Sequence, residues 1–169
     1  MQFLNLYFYQ FHIMSVAEVK KVLYIEDNIA DIKLFEEAIS FNNLAIDLKC
    51  VTDGQEMLDF FEESKKGHYK DLPDIIVSDL NLPKITGQKV IQVIKADAVF
   101  KRIPIIVFTT SNLKRDIEKC YEYGANAYLY KPVDIDKIFE AVELIDRFWL
   151  RNCLLIKNPS ESEQVSLSI

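Results

Sequence analysis

The sequence has few cysteines, and their arrangement offers no framework for zinc or disulfides. The three of them, Cys50, Cys120 and Cys153, are odd in number and far apart, and no CxxC or CxxH spacing occurs. Structural zinc sites and disulfide-rich folds depend on such spacings, so the sequence argues against both. We interpret the three residues as free thiols that pack as small apolar side chains. Free thiols suit a reducing compartment, which favours a cytoplasmic location.

A basic surface of the kind that binds nucleic acid is also absent from the sequence. The formal net charge is -6. The densest basic run is "SKKGHYK" at Ser64–Lys70, and such a run is typical of a solvated loop. Because nucleic-acid binding calls for a basic face, we expect no nucleic-acid partner.

The N-terminal residues are apolar but do not form a membrane span or a secretory signal. Residues 1–13, "MQFLNLYFYQFHI", carry no charged side chain, yet a bilayer crossing takes about 20 apolar residues. A signal peptide would show a positive start and a small-residue cleavage site, and neither is present. No membrane partner is therefore expected. Met14 opens a more ordinary start, so residues 1–13 are either an upstream extension from a misplaced start or an apolar arm that docks on the domain or a partner.

The remaining chain has the composition of one globular domain. Half of the residues (50%) are apolar, which is enough for a sizeable core. We predict an N-terminal extension over residues 1–19, with disorder as the default expectation, one domain over residues 20–156, and a disordered polar tail over residues 157–169. No internal repeat is visible.

Within that domain, short apolar runs alternate with helical patterns five times. The runs are continuously apolar, which predicts a sheet covered on both faces, and the alternation predicts parallel strands joined by right-handed helical crossovers. The predicted strands are Lys21–Glu26, Ala45–Val51, Pro73–Asp79, Arg102–Thr110 and Asn126–Pro132. The predicted helices are Asp27–Ser40, Gln55–Gly67, Gly87–Asp97, Asn112–Gly124 and a long final helix, Asp134–Ile156.

Polar side chains gather where these strands end. The first strand ends at Glu26 and Asp27, the third at Asp79, the fourth at Thr109 and the fifth at Lys131. Taken one at a time, each has an ordinary explanation: an acid after a strand can be a helix cap, threonine favours strands, and lysine is commonly solvated. In a parallel sheet, however, ligands bind outside the carboxyl ends of the strands, so all five groups are predicted at one edge.

The chemistry of that edge suits a phosphoryl group beside a divalent cation. Neighbouring carboxylates repel one another, so either one is protonated or a cation joins them. Oxygen ligands favour Mg²⁺, Mn²⁺ or Ca²⁺, and Mg²⁺ commonly recruits phosphate oxygens as well. An ammonium and a hydroxyl on the same rim can neutralise and hold such a group.

Four motifs make the chain resemble the receiver domains of two-component response regulators. They are "YIEDN" (Tyr24–Asn28), "IIVSDLNLP" (Ile75–Pro83), "IIVFTTS" (Ile105–Ser111) and "AYLYKP" (Ala127–Pro132). The resemblance covers residues 21–150. It implies a flavodoxin-like, doubly wound (βα)5 sheet in the strand order 2-1-3-4-5, here with an extended C-terminal helix.

The resemblance also implies a phosphoacceptor and a metal site. Asp79 would be the nucleophile that accepts the phosphoryl group. Mg²⁺ would be bound directly by Asp27 and Asp79, mainly through water by Glu26, and by the backbone carbonyl of Asn81. No organic cofactor is implied.

Three further residues would respond to phosphorylation. Lys131 would pair with Asp79 and then with a phosphoryl oxygen, in a Lys131–Pro132 peptide bond that is typically cis in this family. Thr109 would hydrogen-bond the phosphoryl group, and Tyr128 occupies the position of an aromatic rotamer switch.

These roles predict a single-domain response regulator and not an enzyme, apart from slow self-dephosphorylation. It would take a phosphoryl group from a sensor histidine kinase or a phosphotransfer protein and present a switched face to a downstream protein target. A DNA-binding output domain would need about 60 to 100 further residues. The alternatives are a receiver-like binding module that works without phosphate, and a phosphohydrolase. The phosphohydrolase would usually need a second acid two residues after the nucleophile, where Asn81 stands.

The end of the final helix resembles that of the single-domain regulators associated with bacterial phytochromes. It continues as "RFWLRNCLLI" (Arg147–Ile156). Exposed apolar side chains are disfavoured in solution. We therefore predict a homodimer formed through Phe148, Trp149, Leu154 and Leu155, the alternative being that these side chains fold back onto their own subunit.

Overall fold

The structure, a computed structural model, describes residues 18–67, 69 and 71–156. The expectations for residues 1–17 and for the tail at 157–169 fall outside the described residues. The proposed domain limits therefore stay a prediction.

Five parallel strands form one sheet in the order β2-β1-β3-β4-β5. Every neighbouring pair of strands in this order is parallel. This confirms the predicted sheet. The strands are β1 (Lys20–Ile25), β2 (Ile46–Val51), β3 (Ile75–Ser78), β4 (Ile105–Thr109) and β5 (Ala127–Tyr130).

Five α-helices connect and follow the strands. They are α1 (Ile29–Phe41), α2 (Gly54–Lys66), α3 (Gly87–Ala96), α4 (Lys114–Glu122) and α5 (Ile135–Ile145). A short 3₁₀-helix, Phe100–Arg102, lies between α3 and β4.

Local capping explains where several helices begin and end. The Asn28 side chain accepts a hydrogen bond from the Ala30 amide at 2.9 Å, so α1 starts later than its predicted start at Asp27. Asp53 and Asp134 cap α2 and α5 in the same way. Gly124, two residues past the end of α4, has a positive φ of 97°, the backbone conformation expected of glycine after a helix.

The sheet is covered on both faces, as the apolar runs predicted. One core cluster contains Ile76 of β3 with Met57 of α2 and Ile91 of α3. The other contains Ile75 of β3 with side chains of α1 and α5. All four residues of β3 are buried, so this strand is central and its carboxyl end reaches the surface only beyond Ser78.

The final helix is shorter than the predicted Asp134–Ile156, and its last part is a π-helix. The α-helical part ends at Ile145, a π-helix spans Asp146–Asn152, and the chain is extended from Cys153. Wider turns follow from hydrogen bonds between residues five apart: the Cys153 amide donates to the Phe148 carbonyl at 3.1 Å. The helical extension is thus present but stops before Leu154.

The predicted apolar patch is only partly exposed. Phe148 is 55% exposed and Leu154 fully so, whereas Trp149 and Leu155 pack partly against the core. Ile135, the first residue of α5, is also 54% exposed. Among the described residues, no helix combines the length and the apolar character that a bilayer crossing requires.

Candidate functional site

The sheet brings the predicted polar side chains to a single edge. Backbone pairing continues one residue past the strands: the Asp79 amide donates to the Ile25 carbonyl at 2.9 Å, and the Lys131 amide donates to the Thr109 carbonyl at 2.7 Å. Asp79 therefore lies beside the end of β1, and Lys131 lies beside the end of β4. Main-chain hydrogen bonds therefore determine where these two side chains lie in the candidate site.

Three carboxylates at this edge are close enough to share one cation. Glu26, Asp27 and Asp79 each offer an oxygen, and these oxygens lie within 4.8 Å of one another. Glu26 and Asp79 are 1% and 6% exposed, while Asp27 is open to solvent. Buried acids that face one another repel unless they are neutralised, so the cluster fits a hard divalent cation held between core and solvent.

The Asp79 carboxylate is only half satisfied. Its Oδ2 accepts a hydrogen bond from the Asn81 amide at 3.3 Å. Its Oδ1 is buried and accepts no hydrogen bond from any described residue. Since a buried, unpartnered carboxylate oxygen is unfavourable, this atom is suited to bind a metal ion or to react.

Gly87 sets how closely α3 approaches Asp79. A Cβ atom on Gly87 would lie 2.1 Å from the Asp79 carbonyl oxygen. The Gly87 amide donates to the Leu80 carbonyl at 3.0 Å and so closes the turn after the acid. In the sequence this glycine marks only the turn into the helix; in the structure only a residue without a side chain fits there.

Lys131 is paired differently from the expectation. Its Nζ donates to Glu26 Oε2 at 2.5 Å and to Asp31 Oδ2 at 2.9 Å, and the residue is 4% exposed. Within the described chain its ion-pair partners are these two acids and not Asp79. The expected Lys131–Asp79 pair is thus replaced because carboxylates from the end of β1 and the start of α1 compete for the same ammonium.

Burial and charge act together on this pair. Burial lowers the pKa of the Lys131 ammonium, but the hydrogen bond and charge of Glu26 outweigh it and the pKa is raised. Burial raises the pKa of the Glu26 carboxyl, which the hydrogen bond from Lys131 opposes. Tyr24 adds a hydrogen bond to Glu26 Oε2 at 3.1 Å.

Thr109 and Tyr128 lie on the other side of the site. Thr109 is fully buried, and its Oγ1 accepts a hydrogen bond from the Ser111 amide at 3.4 Å. The Tyr128 hydroxyl donates to the Ser111 carbonyl at 2.9 Å. Both side chains are therefore hydrogen-bonded to Ser111, in the segment that follows β4.

Two features of the site were missed from the sequence. One is Asp31, which lies in the first turn of α1 and not at the end of a strand. The other is a link between helices, in which Asp116 accepts from Ser111 Oγ at 2.7 Å and from Gln88 Nε2 at 3.2 Å.

The expected cis bond before Pro132 is not found. All peptide bonds of the described residues are trans, including Lys131–Pro132. The metal-binding role of the Asn81 carbonyl stays a prediction.

This sheet order, with acids at the ends of β1 and β3 and a lysine after β5, defines a receiver-type α/β protein. The family model of the response regulator receiver domain matches residues 22–143. The chain belongs to this family, which confirms the resemblance seen in the four motifs.

Individual relatives agree with this assignment. Response regulator Rcp1 of Synechocystis sp. is 34% identical over 136 residues, covering 80% of this chain and 92% of that protein. The crystal structure of the phosphorylated cyanobacterial phytochrome response regulator RcpA has a TM-score of 0.76 at 36% identity, covering 82% of this chain and 99% of that one. The Mn²⁺-bound form of Rcp1 has a TM-score of 0.74 at 33% identity, with the same coverage. The chain is similar to each of these response regulators.

Proposed function

We propose that this two-component response regulator accepts a phosphoryl group on Asp79 from a sensor histidine kinase or a phosphotransfer protein. The observation that carries the proposal is the buried Oδ1 of Asp79, which has no hydrogen-bond partner among the described residues and lies within a cluster of three carboxylates. The similarity to a phosphorylated relative, RcpA, supports it. The free thiols of Cys50, Cys120 and Cys153 support a cytoplasmic location.

The transfer is an in-line displacement. A carboxylate oxygen of Asp79 bonds to phosphorus as the bond from phosphorus to the donor histidine nitrogen breaks, and the imidazole leaves with the electron pair. Such transfers depend on positioning and charge neutralisation. Lys131 supplies a positive charge for the phosphoryl oxygens, and the Thr109 hydroxyl donates a hydrogen bond to one of them.

A magnesium ion fits the same cluster. Glu26, Asp27 and Asp79 would hold it, with the Asn81 carbonyl as a further ligand. All of these are oxygen donors, as Mg²⁺ requires. The bound ion would neutralise negative charge on the phosphoryl group. The Mn²⁺-bound form of Rcp1 shows that a similar protein takes a divalent metal.

Phosphorylation would shift the balance between two packings. Thr109 would leave the Ser111 amide and turn toward the phosphoryl group. The Tyr128 hydroxyl would give up its hydrogen bond to the Ser111 carbonyl, and its ring would turn into the space that Thr109 vacates. The face formed by α4, β5 and α5 would then change shape for a downstream protein target, as a population shift and not a new fold.

We also propose a homodimer formed through the end of α5 and the π-helix. An apolar groove there is lined by Ala127, Leu129, Leu144, Phe148 and Trp149. Leu154, which follows the π-helix, is fully exposed. Sedimentation tests the dimer: a monomer at high micromolar concentration in both phosphorylation states would exclude it.

Beryllofluoride with Mg²⁺ tests the phosphoacceptor directly. The wild type should bind this phosphoryl analogue, and Asp79→Asn should not. Asp47→Asn, which removes an exposed acid from β2, is the matched control and should bind like the wild type. Equal binding by Asp79→Asn would exclude Asp79 as the acceptor. A partner affinity that is indifferent to Asp79→Asn and to Mg²⁺ would favour a binding module that works without phosphate.

A further inference from the structure

Asp31 contacts the ammonium of the candidate site although no role is assigned to it. Its Oδ2 lies 2.9 Å from Lys131 Nζ, and the side chains are 25% and 5% exposed, respectively. A contact between a buried lysine and a mostly buried acid is screened far less than a surface ion pair. Removing the Asp31 charge should therefore measurably weaken the interactions that hold the Lys131 ammonium in its resting position.

The position of Asp31 is fixed by the start of α1. Asn28 caps this helix through its side chain, and the Asn28 amide donates to Glu26 Oε1 at 3.1 Å. The same Glu26 carboxylate accepts from Lys131 through its other oxygen. The first turn of α1, the end of β1 and the lysine therefore form one hydrogen-bonded unit.

The two acids occupy most of the bonding capacity of Lys131. An ammonium has three N–H donors, and here two of them point to Glu26 and Asp31. Asp79 is not among its ion-pair partners in the described chain, so Lys131 has to move to contact a phosphoryl group there, and this movement weakens its contact with at least one of the two acids. Asp31 is the more exposed of the two and comes from a different element, so it can be released without unpairing the buried Glu26.

We propose that Asp31 is a positioning residue that holds Lys131 on the Glu26 side of the site in the unphosphorylated protein and so opposes formation of the phosphorylated state. The inference rests on the proposed phosphoryl transfer to Asp79. Asp31 acts through Lys131 and touches no reacting atom. When the Asp31 charge is lost, Glu26 alone of these two acids competes with the phosphoryl group for the Lys131 ammonium. The phosphorylated state therefore becomes easier to reach.

The test compares beryllofluoride affinity in the full chain at saturating Mg²⁺, followed by fluorine NMR of the bound analogue. Asp31→Asn should bind about 5-fold more tightly than the wild type, the size expected for one partly buried ion pair. Its initial rate of phosphorylation by acetyl phosphate should rise in the same direction. Asp31→Glu keeps the charge and should restore an affinity within about 2-fold of the wild type, by the same reasoning.

The control is Glu37→Gln, which removes one exposed acid from the same helix and should leave the affinity unchanged. Asp31→Ser carries the test if Asp31→Asn does not fold, since serine has at least the helix propensity of asparagine and aspartate. Unchanged or weaker binding by the folded variants, with normal binding by the wild type, would overturn this inference alone. A wild type that binds no beryllofluoride would overturn the phosphoacceptor function as well.

Discussion

The Lys131 ammonium lies 2.5 Å from Glu26 Oε2, and both side chains are almost completely buried. This pair joins the end of β5 to the end of β1 across the two strands between them. The pair keeps the positive charge of Lys131 near the proposed phosphoacceptor, Asp79, without an ion pair between the two. The pair therefore gives each buried charge a counter-charge, and it sets how readily the lysine can turn to a phosphoryl group.

Replacing Lys131 by methionine should lower the free energy of unfolding by about 3 kcal/mol at neutral pH, because a buried carboxylate loses its counter-charge. Lys137→Met, at an exposed position of α5, is the control and should change stability by less than about 0.5 kcal/mol. Urea unfolding monitored by circular dichroism measures both. Equal stabilities for the two variants would show that the pair contributes little.

The same variant should be less destabilised in mildly acidic buffer. The pKa of the Glu26 carboxyl is already raised by burial, and loss of Lys131 raises it further. A carboxyl with a raised folded-state pKa binds protons more readily when folded, so lowering the pH through that pKa favours the folded state. A stability loss that grows on acidification would contradict this assignment of charge.

Gly87→Ala should destabilise the protein by about 2 kcal/mol, because the new Cβ would collide with the backbone of Asp79 and Leu80. Gly67→Ala is the matched control: its Cβ would meet the Glu63 carbonyl at 3.6 Å, an ordinary contact. Thermal unfolding compares the two. Equal stability of Gly87→Ala and the control would show that α3 does not pack closely against Asp79.

Mg²⁺ should stabilise the folded protein through the three carboxylates. A ligand present at ten times its dissociation constant adds about 1.4 kcal/mol, which is visible as a rise in Tm. Asp27→Asn should lose most of this rise, because Asp27 is the solvent-facing member of the cluster. Asp47→Asn should keep it. A Tm that is independent of Mg²⁺ in the wild type would argue against the metal site.

Tyr128→Phe should lower the stability of the resting form by about 1 kcal/mol, the usual value of one hydrogen bond, because the bond to the Ser111 carbonyl is lost. Tyr121→Phe, at a position that is 51% exposed, should have no measurable effect. Urea unfolding separates the two variants. Indistinguishable midpoints would mean that the hydroxyl does not hold the aromatic ring in its resting position.

The sheet and the edge that carries the site were predictable because strand order and strand ends follow from local patterns. Apolar runs mark β1, β3, β4 and β5, and the residue after each run lies at the carboxyl edge. The identities of Glu26, Asp79 and Lys131 then restrict the chemistry.

The pairing inside the site was not predictable, because it depends on three-dimensional placement. Asp31 reaches Lys131 only because the Asn28 cap sets where α1 begins. The end of α5 was also missed. The π-helix has hydrogen bonds between residues five apart, and an ion pair joins Asp146 to Arg151 within it. Neither feature appears in a helical pattern of apolar residues.

The most direct test of the central claim is to map the phosphorylated residue. The full chain is treated with acetyl phosphate and Mg²⁺, the acyl phosphate is reduced with borohydride, and the modified peptide is sequenced by mass spectrometry. Modification should fall on Asp79, and Asp79→Asn should remain unmodified while still folding. Modification of another residue, or none in a folded wild type saturated with Mg²⁺, would contradict the proposed function.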